Sequence, residues 1–187
     1  MQGIDDDAVM GRIAQRDAVA FAQLVDLHAE RLHRIAWRMI GDATEAEDVA
    51  QEALLRLWAQ AGSWKAGRSG IAAWLTRVAM NLCLDRLRRR RFASDEVVPE
   101  RADDSPAADA LLDSESLRAQ AVAALGALSE RHRAAIVLTY YEELPNSQAA
   151  AAMDMNLKAF ESLLLRSRTA MREALAARGL VSLERAA

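Results

Sequence analysis

The chain has 187 residues and a mass of 20.5 kDa, with 52% hydrophobic residues, eight glycines, three prolines, one cysteine and a net charge of −3. Alanine, leucine and arginine dominate, all good helix formers, which excludes an all-β fold and a glycine-rich doubly wound nucleotide fold. No apolar run approaches the roughly 18 residues of a membrane span, and Asp5, Asp6 and Asp7 are unlike the basic start of a signal peptide, so the chain reads as soluble, cytoplasmic and helical.

The net charge hides a pattern. Residues 1–92 sum to +2, residues 93–116 to −7 and residues 117–187 to +2. Two mildly basic blocks thus flank one acidic tether. The tether holds Pro99, Pro106, many carboxylates and no aromatic ring. It buries too little apolar surface to offset its ordering entropy and reads as flexible, leaving the relative placement of the blocks weakly fixed. The expected organisation is all-α: two small helical domains, 1–92 and 117–187, joined by a flexible acidic linker at 93–116.

In the first block, Phe21, Leu24, Val25, His28, Leu32, Ile35 and Met39 recur at helical spacing, and Gly41 follows as a stop. Thr44 and Glu47 stand three apart, a capping-box pattern opening a second helix with Val49, Ala53, Leu54, Leu57, Trp58 and Ala61 on one face. Gly62 ends it. After a loop at Ser63–Gly70, a third helix runs from Ile71 to about Arg91, with Trp74, Leu75, Val78 and Leu82 on its apolar stripe. In the second block, helices are expected near Leu117–Leu128, at Glu130–Tyr141 with Ser129 as cap, and at Ser147–Met153. The turn Asp154-Met155-Asn156 then leads into a long helix from Leu157 to about Ala177, stopped by Gly179. A short helix, a three-residue turn and a longer basic helix form the layout of a helix-turn-helix, and the small Ala150 permits the close crossing it needs.

No catalytic or metal constellation emerges, and no cofactor is implied. His28 and His33 are five apart, roughly 140° around a helix, so one face cannot offer both to a metal. Cys83 reads as a small packing residue. The strongest local signal is Arg86-Leu87-Arg88-Arg89-Arg90-Arg91 at the end of the third helix. It complements the helix dipole and is compatible with a solvated terminus. Trp64, Lys65, Arg68, Trp74 and Arg77 lie upstream, however, and rings beside arginines suit single-stranded bases and phosphates. The second helix starts with Glu45, Glu47, Asp48, Gln51 and Glu52: either favourable first-turn carboxylates or, with Leu55, a strip for a basic helical partner.

EAEDVAQEALLRLW (Glu45 to Trp58) and AAWLTRVAMNLCLDRLRRRR (Ala72 to Arg91) resemble region 2 of bacterial extracytoplasmic-function sigma factors. The segment from Ala127 to Leu175 resembles region 4 of the same family, in the same order. The resemblance implies a transcription initiation factor, not an enzyme, that binds core RNA polymerase and directs it to promoter DNA. Asp48, Gln51, Glu52, Leu55 and Trp58 fall where the family docks on the clamp helices of the β′ subunit. Trp64, Lys65, Trp74, Arg77, Asn81, Arg86, Arg88, Arg89 and Arg90 fall where it reads and opens the −10 element. Asn156, Lys158, Ser162, Arg166, Arg168 and Arg172 fall on the −35 side. An anti-sigma factor bridging both blocks is the implied regulator, and the acidic linker matches the one that threads the polymerase channel. The alternative is a sigma-like module that only sequesters an anti-sigma factor. An autonomous helix-turn-helix regulator leaves the first block unexplained.

The chain departs from the family in three places. Asp154 stands where glycine is usual at the helix-turn-helix turn, and Glu161 and Leu163 replace usual cations in the early recognition helix. Pro145 replaces a hydroxyl before the preceding helix, leaving Asn146 as the expected cap.

Overall fold

The computed structural model describes residues 6–65, 70–94 and 112–181, and among these every regular element is helical. The first block consists of α1 (Asp6–Ala14), α2 (Ala18–Ile40), α3 (Ala43–Gln60), a 3-10 turn at Ala61–Ser63 and α4 (Gly70–Ser94). The second has α5 (Leu112–Gly126), α6 (Glu130–Ile136) continued by a π-helical turn at Val137–Tyr141, α7 (Asn146–Ala152) and α8 (Leu157–Ala176). Helices therefore take both ends of the expected tether, and its remainder, 95–111, lies outside the described residues.

The apolar stripes meet as their spacing demands. Leu24, Leu32, Ile35 and Met39 of α2 are buried against Val49, Ala53 and Leu57 of α3 and Leu75, Ala79, Met80 and Cys83 of α4. At roughly 1.5–3 kcal/mol per large side chain, this burial is what holds the block together. Helix α1, which the apolar spacing does not announce, adds Met10 and Ile13 to the same core. Asp17 caps α2, its carboxylate accepting from Val19 N at 2.9 Å and Ala20 N at 3.1 Å. Those bonds, the Ala20 amide first, and the Arg12 guanidinium hold its pKa below the ordinary aspartate value. Gly41, at φ 75°, closes the helix with its N–H on Trp37 O.

Three expected caps are corrected. The residue that caps α3 is Asp42, whose side chain accepts from Glu45 N at 2.9 Å, so Thr44 already lies inside the helix and forms no capping box with Glu47. A carboxylate immediately after the left-handed glycine takes the orphan amide first. Ser129 stands at the start of α6 but its side chain makes no capping bond. Pro145, not Asn146, occupies the position before α7: its carbonyl accepts from Gln148 N and Ala149 N, and its ring offers no side-chain cap.

The second block closes around Phe160, Leu125 and Leu138, all fully buried, with Ala149 and Ala150 letting α7 approach α8. Asp154 takes the left-handed conformation at φ 51°, the role glycine would have filled. Asn156 caps α8 by accepting from Ala159 N at 2.8 Å.

The blocks touch through α2 against α5 and α6, and α4 against α6 and α7. Arg133, only 9% exposed, donates to Leu125 O, Gly126 O and Leu128 O at the end of α5 and also to Met39 O at the end of α2. Glu142 lies between Arg31 (2.7 Å) and Arg38 (3.7 Å) of α2, its side chain 5% exposed. Arg77 pairs with Asp154 at 2.5 Å across the same junction.

Candidate nucleic-acid interface

Three surfaces collect the candidate residues. The first is the outer face of α3. Asp48, Gln51 and Leu55 point outward, Leu55 being 60% exposed, while Glu52 is half-buried. Trp58 instead turns inward, its ring 4.8 Å from that of Phe21 and under the Arg16 guanidinium. Two carboxylates and an amide thus surround a single exposed leucine, a polar rim around an apolar centre.

The arginine run at the end of α4 is partly folded onto this strip. Arg86 approaches Asp48 at 3.7 Å and Glu52 at 3.5 Å, and donates to Glu45 O at 3.2 Å. Arg90 pairs with Glu45 and reaches Asp42 at 3.9 Å. Arg86, grouped by the resemblance with DNA contacts, thus sits half-buried as the counter-charge of the α3 carboxylates. Arg88 pairs with Asp85 on the exposed surface at 2.7 Å, and Arg89 is exposed with no ion pair among the described residues. Both guanidinium groups remain on the exposed surface of this end of α4.

The second surface surrounds the start of α4. Trp64 and Trp74 meet edge to face with ring centroids 6.3 Å apart, and Trp64 Nε1 donates to Asp7 Oδ1 at 3.3 Å. Trp74, Arg77, Asn81, Asp85 and Arg88 follow one another at helical spacing down one side of α4. Lys65 is exposed beside them; Gly67 and Arg68 fall outside the described residues. Asp6 Oδ2 accepts from Ile71 N at 2.8 Å and so caps α4 from a distance. Gly70 is required at this point: its φ is 68°, and a Cβ there would stand 2.6 Å from Asp6 Oδ2. No local sequence pattern announces this bracing of the aromatic pair by α1. Locally, Asp6 and Asp7 are only favourable first-turn residues of a helix. A cleft of about 700 Å³ opens between Trp64, Trp74 and Arg77 on one wall and Ser147, Gln148 and Ala151 of α7 on the other.

The third surface is α8. Its buried side carries Phe160, Leu163, Leu164 and Ser167, so Leu163 is core rather than a lost cationic contact. Lys158, Ser162, Arg166, Arg168 and Arg172 are exposed. Arg166 Nε folds back on Ser162 O at 3.2 Å, and the Arg168 guanidinium lies 5.7 Å from the Tyr140 ring centroid. The cap oxygen of Asn156 is engaged with Ala159, which leaves its amide N–H groups for other partners.

An outward helix behind a tight turn, and an aromatic–basic stripe elsewhere, can grip duplex and unpaired DNA respectively. The family model "Sigma-70 region 2" matches residues 24–93 and "Sigma-70, region 4" matches residues 118–171. The chain is 34% identical to the ECF RNA polymerase sigma factor SigE of Mycolicibacterium smegmatis over 82% of its own length and 61% of that relative's. It is 33% identical to SigK of Mycobacterium sp. (strain KMS) over 84% of each chain, and 27% identical to SigW of Bacillus subtilis over 88% of this chain and 93% of that one. Solved structures resemble it as well. CnrH in complex with the cytosolic domain of CnrY has a TM-score of 0.68 at 27% identity, covering 92% of this chain and 97% of that one. Sigma factor RpoE in complex with the anti-sigma factor NepR, from Bartonella quintana, has a TM-score of 0.66 at 28% identity, covering 83% and 96%.

Proposed function

The chain belongs to the sigma-70 family, in its extracytoplasmic-function class, and on that premise we propose that it binds core RNA polymerase in the cytoplasm and directs it to promoters. In this reading the outer face of α3 docks on the clamp helices of β′, with Leu55 as its apolar anchor and Asp48 and Gln51 as its polar rim. The Trp64–Trp74 pair and the α4 stripe read and open the −10 element, and α8 enters the −35 major groove. Base stacking on an aromatic side chain contributes about 1–3 kcal/mol per base, enough to bias strand separation by about fivefold to a hundredfold. The observation that carries the reading is the presence, on one chain and in the family's order, of the aromatic–basic stripe of α4 and the helix-turn-helix of α7 and α8.

The regulator in this reading is an anti-sigma factor. Both structural neighbours named above are captured in complexes, one of them with an anti-sigma factor by name. A helical partner seated across both blocks would cover the α3 strip and exclude polymerase. Size-exclusion chromatography of the full chain with purified core polymerase, followed by promoter binding, tests the proposal. Co-elution and promoter binding by the mixture, but by neither component alone, is the expected result. A chain that binds duplex promoter DNA unaided and ignores core polymerase would instead mark an autonomous regulator.

A further inference from the structure

Resting on the reading of α8 as the −35 recognition helix, we infer that Glu161 and Leu165 set which bases that helix accepts. Glu161 selects a base that offers an exocyclic amine in the major groove, cytosine foremost, and Leu165 selects a thymine within about two base steps of it.

The inference starts from what α8 shows outward. Opposite its buried side lies a face of Lys158, Ser162, Leu165 and Thr169, with Glu161 at its shoulder. Leu165 is 65% exposed, more than any other large hydrophobic among the described residues. An exposed leucine means little by itself, but this one occupies the middle of the face a recognition helix turns to the groove. Glu161 is exposed and makes no hydrogen bond or ion pair among the described residues. Its neighbours are already engaged: the Ser162 hydroxyl donates to Lys158 O at 3.0 Å, and Arg166 folds back on Ser162 O.

A free carboxylate on a DNA-facing surface is repelled by phosphates, and a base-edge donor that meets it offsets that repulsion. In the major groove the donors are the N4 amine of cytosine and the N6 amine of adenine, whereas guanine and thymine present acceptors at the matching edge. Glutamate and aspartate pair with cytosine, and an apolar side chain packs on the thymine methyl. Glu161 and Leu165 are one helical turn apart, about 6 Å along the axis. With base pairs stacked about every 3.4 Å, their targets fall within about two steps of one another.

The test uses holoenzyme assembled from the full chain and core polymerase, selected against promoter fragments randomised across the −35 element. Wild type is expected to enrich a motif with cytosine at one position and thymine within two steps. Glu161→Gln should turn that cytosine preference towards adenine by roughly tenfold, because glutamine both donates and accepts, while the other positions stay as they were. Leu165→Ala should flatten only the thymine. Both residues are exposed, so neither change threatens the fold. If Glu161→Gln enriches the wild-type motif unchanged, the inference is overturned while α8 keeps its role. If wild type enriches a −10 motif and no −35 motif, it is the role of α8 that fails.

Discussion

The guanidinium of Arg133, in the second block, donates from Nη1 to the carbonyl of Met39, in the last turn of α2 in the first. Bonds at 2.9 and 2.8 Å tie the same group to Leu125 O and Gly126 O at the end of α5, and one at 3.3 Å to Leu128 O just beyond it. A cation at two helix C-termini satisfies orphan acceptors and opposes both dipoles at once. Arg133→Ala should therefore lower unfolding free energy by about 2–4 kcal/mol in urea titrations. Arg133→Lys, which keeps the charge but not the fork of donors, should recover only part of it.

Polymerase docking should depend on Leu55 more cleanly than on the carboxylates. Reversing Asp48 and Glu52 to lysine should abolish core binding, but it also sets new cations against Arg86, 3.7 and 3.5 Å away. Leu55→Ala changes only an outward side chain. It should weaken association with core polymerase about tenfold or more, as truncation of a central interface anchor does, with stability unchanged to about 0.5 kcal/mol. Equal affinities of wild type and Leu55→Ala in a fluorescence titration would remove the strip from the interface.

Strand opening should depend on Trp64. Trp64→Ala should leave closed-complex formation intact and reduce permanganate reactivity of promoter thymines roughly tenfold. Asp7→Asn, which keeps an acceptor for the Trp64 indole N–H 3.3 Å away, should have little effect. Footprints as strong in Trp64→Ala as in wild type would count against a stacking role.

Cys83 should behave as core. Burial pushes its thiol up to about 12 from an ordinary 9.0. The folded chain then holds this proton where the unfolded chain releases it, so stability is unaffected below about pH 9 and falls as pH rises from there towards 12. At pH 8 a thiol reagent should label the native chain far more slowly than the urea-unfolded chain. Rapid native labelling would show that α4 opens locally around this residue.

The helices and the helix-turn-helix were legible in the sequence because apolar spacing and turn chemistry are local. Leu24, Leu32, Ile35 and Met39 are buried as their period requires, and Asp154 adopts the left-handed φ that its place in the turn demanded. The α3 cap was misread because Asp42 and Thr44 both have capping side chains, and only the backbone decides between them. Helix α1 escaped because nine residues offer little more than two turns of period. The roles of Arg86, Arg133 and Glu142 depend on partners about 35 to 110 positions away, and no local pattern encodes such pairing. Trp58 packs on Phe21 as its place on the apolar stripe of α3 requires, whereas the family resemblance alone assigns it to the docking strip.

Run-off transcription tests the central claim most directly: core RNA polymerase, with and without the full chain, on a pool of genomic fragments that includes the DNA upstream of the chain's own gene. Family membership and the two surfaces proposed to face DNA predict transcripts with defined 5′ ends that appear only with the chain and fall sharply with Trp64→Ala. A chain that co-elutes with core polymerase yet yields no chain-dependent transcript from any fragment would contradict it, and would identify a sequestering module in place of an initiation factor.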